Sequence, residues 1–316
     1  YGPLFEQWFD GACGEGPNGK KQVYDWERYY ALIRELQPNA AIAISGPDVR
    51  WCGNEAGDTR ESEWSVLPEG FDTPESVAAA SQQSDDASFR EKTIDEQARD
   101  LGSRSFLEGA TAYVWRPAET DTSIRPGWFW RESENEKVKT VQELLKIYYE
   151  SVGRNSLLLL NVPADKRGLL HEVDSVRLME LRTAIDEIFA VNLADGGVAE
   201  AADVRGNSGK YAAANILDAD YDTYWATDDD VVTASFTVTL PEARQFNRVQ
   251  IQEYIPLGQR VAAFSIEALG EDGQWKTIAN ETTIGYKRIV HTPVTVATAV
   301  RVNIEESLAC PVINGF

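Results

Sequence analysis

At about Leu193 the periodicity of this 316-residue chain changes, and few folds accommodate such a change. Before it, strand-like runs alternate with helical patterns. Strands are predicted at residues 4–9, 41–45, 112–115 and 156–161, and helices at 26–36, 95–107, 134–149 and 173–191. The run LLLLNV is wholly apolar, as in a strand buried on both faces of a parallel sheet. After residue 193 helical spacing stops. Short β-rich runs at 235–240, 248–253, 263–269, 294–297 and 299–304 follow, separated by turn residues.

This pattern predicts an α/β domain followed by an all-β domain. Four strand–helix units before residue 193 make half of a (β/α)8 (TIM) barrel, with an open doubly wound sheet as the alternative. The β-rich part reads as an antiparallel β-sandwich. The expected boundaries are 1–192 for the partial barrel and 193–316 for the sandwich, with a linker at 194–197. Residues 68–90 are polar and read as a surface loop.

Residues 8–20, WFDGACGEGPNGK, fit both G-x-G-x-x-G and G-x-x-x-x-G-K. The nucleotide reading is weak. Residue 21 is Lys where a P-loop needs Ser or Thr, and Pro17 removes an N–H that a phosphate cradle would present. Asp10 and Glu15 put negative charge where phosphates would sit. The stretch makes better sense around Asp10, at the C-terminal end of the first strand, where barrel enzymes carry their chemistry. The glycines let the chain turn away and leave the carboxylate accessible.

A second acid follows the next strand in ISGPDVRWCGNEAGD, residues 44–58, which contains Arg50, Trp51, Asn54 and Glu55. Two acids from the ends of neighbouring strands, each beside a Trp, suit hydrolysis of a glycosidic bond. One attacks the anomeric carbon while the other protonates the leaving oxygen. Arg50 is a candidate partner for sugar hydroxyls or a carboxylate, or else a rim salt bridge. Trp51 and Trp128 are pocket walls or ordinary core aromatics.

WFDGACGEGPNGKKQVYDW followed by RWCGNEAG resembles glycoside hydrolase family 29, the α-L-fucosidases, and more closely its α-1,3/1,4-specific branch. WRPAETDTSIRPGWFW and NSLLLLNVPADKRGLLHEVDSVRL continue the likeness through most of residues 1–190. The resemblance implies a retaining exo-α-L-fucosidase acting on fucosylated oligosaccharides without a catalytic cofactor. Asp10 is then the nucleophile, Glu55 the general acid/base, and Trp8 a wall of the fucose pocket. It also implies an upstream half-barrel with sugar-binding histidines, and secreted or periplasmic localisation. Neither an export signal nor those histidines occurs in this sequence, and His171 reads as a helix cap. The chain alone is therefore expected to be inactive or insoluble. The runner-up is a non-catalytic glycan-binding protein with a degenerate barrel.

Residues 214–227, ANILDADYDTYWAT, resemble a loop of discoidin-like (coagulation factor type C) sandwiches, which in such modules often carries a structural calcium. Asp218, Asp220 and Thr223 are the candidate ligands, the alternative being an Asx-rich turn over a buried Trp225. The sandwich is expected to stop just short of its last strand, at residues 315–316.

A formal net charge of −21 leaves no basic footprint for nucleic acid or an anionic membrane, whereas a neutral sugar is not repelled. Cys13, Cys52 and Cys310 lack metal-site spacing and are too few and too scattered for a disulfide scaffold. No apolar run is long enough to span a bilayer.

Overall fold

The computed structural model describes residues 2–11, 23–70 and 107–316. Most of the glycine stretch, Cys13, nearly all of the helix expected at 95–107 and most of the 68–90 loop lie outside them. The chain divides into two compact units: Tyr1–Lys139 with Ser156–His171, and Thr140–Asn155 with Glu172–Phe316.

The first unit is built on parallel strands. β1 (Glu6–Phe9) pairs in parallel with β2 (Ala41–Ile44). An isolated parallel bridge, Ala43 to Val49, links β2 to the approach of β3 (Arg50–Trp51). β3 pairs in parallel with β6 (Ala118–Ser123), and β6 with β7 (Ser156–Asn161). The helix Trp26–Leu36 makes the crossover from β1 to β2. Asp25 caps it by accepting the Arg28 N–H at 3.2 Å, as its sequence position predicts. Its buried face carries Trp26 and Tyr30 onto Ile42, with Phe9 edge-on to Trp26 at 5.6 Å. Tyr30 also donates to the Ser45 carbonyl at 2.7 Å, tying the helix to the chain leaving β2.

Two strand expectations change. Residues 112–115 do not join the parallel array. β5 (Tyr113–Trp115) pairs antiparallel with β4 (Val66–Pro68), and the parallel strand is the next segment, AETDTS. All six of its residues are buried. A strand whose polar side chains face the inside of a β/α array and find partners there has no apolar signature to read. The LLLLNV run, expected to be buried on both faces, is half-buried, with Leu157 37% exposed. β7 lies at the edge of its three-stranded sheet, where one side lacks a neighbouring strand.

The second unit centres on a seven-stranded antiparallel sheet in the order β12-β11-β13-β10-β14-β9, with β8 (Val198–Ala201) added on β10. The expected runs 235–240 and 248–253 are one twenty-residue strand, β10 (Ala234–Glu253). Likewise 294–297 and 299–304 lie in β13 (Arg288–Ser307). Bulges between Thr239 and Arg244, and between Phe246 and Arg248, let β10 bend past Pro241 without ending. β11 (Val261–Leu269) matches the expected run, whereas β12 (Trp275–Glu281) is not among the expected runs. β14 (Val312–Gly315) pairs with both β10 and β9 (Trp225–Ala226).

The core of this unit is Trp225, Phe236, Val238, Ile251, Phe264, Ile266, Val302 and their neighbours. Trp225 is fully buried and its indole donates to the Asp203 carbonyl at 2.9 Å, so a large apolar side chain enters the core without orphaning its N–H. The helix Val141–Glu150 groups with this unit. It begins in a capping box between Thr140 and Glu143 and ends with Tyr149 edge-on to His291, ring centroids 4.2 Å apart. The helix Glu172–Ile188 packs beside it.

Candidate active site

Residues 6, 8 and 10 alternate along β1 and its end, and residues 119, 121 and 123 along β6, so each set shares one face of its strand. The Trp8 indole donates to Glu119 Oε1 at 2.9 Å, which places these two faces toward each other. From β3, the Trp51 indole donates to Asp121 Oδ1 at 2.7 Å. From the loop after β6, the Trp128 indole donates to Glu55 Oε2 at 3.0 Å. Three tryptophans thus point their N–H groups at three carboxylates.

Asp10 follows β1 immediately, and its side chain is exposed. Gly11 turns the chain at φ 73°, a conformation that glycine adopts without strain. Ser45 at the end of β2 steadies this turn, its backbone N–H on the Phe9 carbonyl and its hydroxyl on the Asp10 carbonyl.

The second motif folds into a compact turn whose composition explains itself. Gly53 and Gly57 sit at φ 107° and 86°. Between them the buried Asn54 accepts the Ala56 N–H at 2.8 Å and donates to the Asp58 carbonyl at 3.2 Å. Asn54 therefore staples the turn and Glu55 projects from it, half-buried, to meet Trp128. Cys52 lies beneath as a free buried thiol, pushed up to about 12 mainly by burial, which makes it a packing group and not a nucleophile.

Glu119 and Asp121 were not singled out by sequence reasoning. Burial raises the Glu119 carboxyl to about 8, and the negative charge of Glu6 adds to the rise while the Trp8 indole opposes it. Asp121 is raised to about 6, first by burial; the Trp51 indole pulls it down, and the charges of Glu55 and Asp10 push it up again. Asp121 thus lies within electrostatic reach of both candidate catalytic acids. Their alternation in AETDTS is the signal that could have revealed them, once the segment is seen as a lumen strand.

Of the alternatives for Arg50, the structure shows a carboxylate partner, Glu63, with the pair buried and not at a rim. The neighbouring Trp51 faces β6 Asp121, and Arg50 takes the alternate side of β3, buried in an ion pair with Glu63 and donating to the Trp64 carbonyl at 2.8 Å. It holds the 59–64 segment in place and is not among the groups around Asp121. His171 stands just ahead of the helix Glu172–Ile188, its Nε2 3.4 Å from Asn135 Nδ2 and its ring beside Trp130.

In the second unit, Asp218 Oδ1 accepts the Asp220 N–H at 2.9 Å and Asp220 Oδ1 accepts the Asp222 N–H at 3.0 Å. The Thr223 hydroxyl lies 2.7 Å from Asp218 Oδ2 and 3.2 Å from the Asp220 carbonyl. These carboxylate, hydroxyl and carbonyl oxygens are of the type that calcium takes, and here they bond one another and the backbone of their own exposed loop. Among the described residues no three His, Cys, Asp or Glu side chains cluster to hold a metal, so backbone carbonyls and the hydroxyl would have to complete the shell. No described helix is long and apolar enough to cross a membrane.

A parallel β/α array with facing acids and tryptophans at its strand ends, followed by an antiparallel sandwich, defines a class of carbohydrate-active proteins. Comparison with known proteins makes the class particular. The α-L-fucosidase family model matches residues 7–184 and the F5/8 type C domain model matches residues 199–310. This chain belongs to the α-L-fucosidase family, and it joins the family's barrel fold to a discoidin-like sandwich. It is 35% identical to α-L-fucosidase 1 of Arabidopsis thaliana over 295 residues, 92% of this chain and 53% of that protein. A relative in Oryza sativa subsp. japonica is 37% identical over 319 residues, 100% of this chain and 56% of that protein. The chain thus spans about half the length of the curated relatives it matches. Its fold is also similar to that of a Ruminococcus gnavus GH29 fucosidase solved in complex with fucose. That likeness has a TM-score of 0.81 at 29% identity and covers 99% of this chain and 60% of the other.

Proposed function

We propose that this chain carries the catalytic acids of a retaining exo-α-L-fucosidase that releases terminal α-1,3/1,4-linked fucose from oligosaccharides and glycoconjugates. Asp10 attacks the anomeric carbon and forms a covalent fucosyl-enzyme intermediate as Glu55 protonates the departing oxygen. Glu55 then takes a proton from the water that releases fucose. The observation that carries this reading is that Trp8, two residues before Asp10, and Trp51, four before Glu55, bond Glu119 and Asp121 on one face of β6, which brings the segments of the two acids to the same strand. Supporting it, Asp10 is exposed at the end of β1, while the Trp128 indole fixes the direction of Glu55. A fucose complex in a structural relative of the same family agrees with the sugar chosen.

The test is hydrolysis of an aryl α-L-fucoside followed by proton NMR. Retention requires α-fucose as the first-formed anomer; initial β-fucose would refute the double displacement. Asp10→Asn should abolish turnover, and Glu55→Ala should lower it less on a substrate whose leaving group needs no proton. A glycan-binding protein without catalysis would show no turnover and keep its binding in the double variant.

As part of the same proposal, Asp218, Asp220 and Thr223 hold a structural calcium in the sandwich, which would stiffen the 218–223 loop and take no part in the chemistry.

A further inference from the structure

We propose that Glu119 and Asp121 are positioning residues of the sugar pocket, holding the indoles of Trp8 and Trp51 in the orientation in which they wall it. This rests on the sugar-hydrolysing reading above and extends it to residues that make no contact with the reacting atoms.

The two carboxylates sit two residues apart on β6, so one strand face presents both. Each accepts one indole N–H, at 2.9 Å for Trp8 and 2.7 Å for Trp51, and the two tryptophans come from different strands, β1 and β3. β6 is thus the template that aligns them. A tryptophan ring on a strand can swing about two side-chain torsions, and an N–H anchored on a buried carboxyl oxygen removes that freedom. The plane of the ring decides whether a sugar can lie against it, so a few degrees of swing matter.

Burying two acids is costly unless something is gained. Glu119 and Asp121 are 3% and 6% exposed, and among the described residues neither forms an ion pair with Lys or Arg. The groups that face them are themselves acidic: Glu6, which shares a hydrogen bond with Glu119, and Asp121 toward Glu119, with Glu55 and Asp10 toward Asp121. An apolar strand would fill the same space without that repulsion. What the acids provide and an apolar strand does not is an acceptor for each indole.

The experiment uses Asp121→Ala and Asp121→Asn, with Glu119→Ala and Glu119→Gln in parallel. The amide variants keep an accepting oxygen and the alanines do not. Indole N–H resonances are assigned by Trp8→Phe and Trp51→Phe in nitrogen-15 labelled protein, and kinetics are measured on an aryl α-L-fucoside. Positioning predicts that each alanine shifts its own tryptophan's indole resonance and speeds its hydrogen exchange. KM should rise about tenfold with kcat changed less, the size expected for leaving one buried indole N–H without its acceptor. The amide should return both readouts toward wild type. Asp121→Leu and Glu119→Leu, which fill the space without an acceptor, replace any alanine variant that does not fold. An indole resonance unmoved in the alanine variant overturns the proposal, as does an amide as damaging as the alanine. If the full-length wild-type protein hydrolyses no α-L-fucoside, the proposed activity fails, while the indole resonances still decide the positioning.

Discussion

The indole nitrogen of Trp128 stands 3.0 Å from Glu55 Oε2, joining the loop after β6 to the turn after β3. A hydrogen bond of this kind contributes about 0.5–1.5 kcal/mol. Trp128→Phe keeps the ring and removes the donor, so Glu55 loses its fixed direction. Steady-state kinetics should show kcat/KM lowered by up to about tenfold, with thermal stability little changed. Equal kcat/KM in the two proteins would mean that the bond has no part in catalysis.

Gly53 at φ 107° starts the turn that presents Glu55. A side chain there costs about 1–3 kcal/mol of strain, which the loop relieves by shifting. Gly53→Ala should therefore lower kcat more than it raises KM, because the displaced group is the proton donor. The same substitution at Gly46 acts on stability instead. Its Cβ would meet the Ile42 carbonyl oxygen at 2.3 Å, so Gly46→Ala should lower the midpoint of thermal unfolding by several degrees.

Glu253 gives the sandwich a pH signature. Its carboxylate accepts backbone N–H bonds from Arg260, Val261 and Gly285, yet full burial outweighs them and raises it to about 7. The folded protein therefore holds a proton that the unfolded chain has lost over the interval from about 4.5 to about 7. Through that window stability falls as pH rises, by about 3 kcal/mol in all. Urea unfolding at pH 4.5 and pH 8 should show this slope in the wild type and a flatter one in Glu253→Gln. The glutamine should be less stable at low pH, because its amide cannot accept the third N–H.

The 218–223 loop predicts a metal response. Calcium should raise the unfolding midpoint of the sandwich and a chelator should reverse it, with the response lost in Asp218→Ala. A midpoint indifferent to both would leave the loop as an Asx turn closed by Thr223.

Trp225→Ala would empty the largest fully buried apolar site of the sandwich core and orphan the Asp203 carbonyl. Chemical denaturation should register a loss of about 3–5 kcal/mol.

Local chemistry was legible in the sequence wherever one residue's conformational need decides the outcome. Asp25 announces a helix start, Gly53 and Gly57 a turn, and the glycine after Asp10 a sharp exit from a strand. The change of periodicity near Leu193 separates a β/α pattern from a β pattern because side-chain burial repeats every 3.6 residues on a helix and every second residue on a strand. Asp10 and Glu55 stand out in the sequence as candidate acids, since each follows an expected strand and has a tryptophan a few residues before it.

What only the tertiary structure decided is which groups those acids and tryptophans meet. AETDTS carries no hydrophobic run, and whether its carboxylates face water or a lumen depends on β3 and β7 lying on either side of it. Arg50 and Trp51 are adjacent in sequence, yet the two-residue repeat of a strand sends one to Glu63 and the other to Asp121. The long strands β10 and β13 likewise continue through residues that read as breaks, because partners across the sheet absorb the bulges. Sequence sets the conformations a residue tolerates; the partner across a strand, often a hundred residues distant, sets the charge and the hydrogen bonds that it meets.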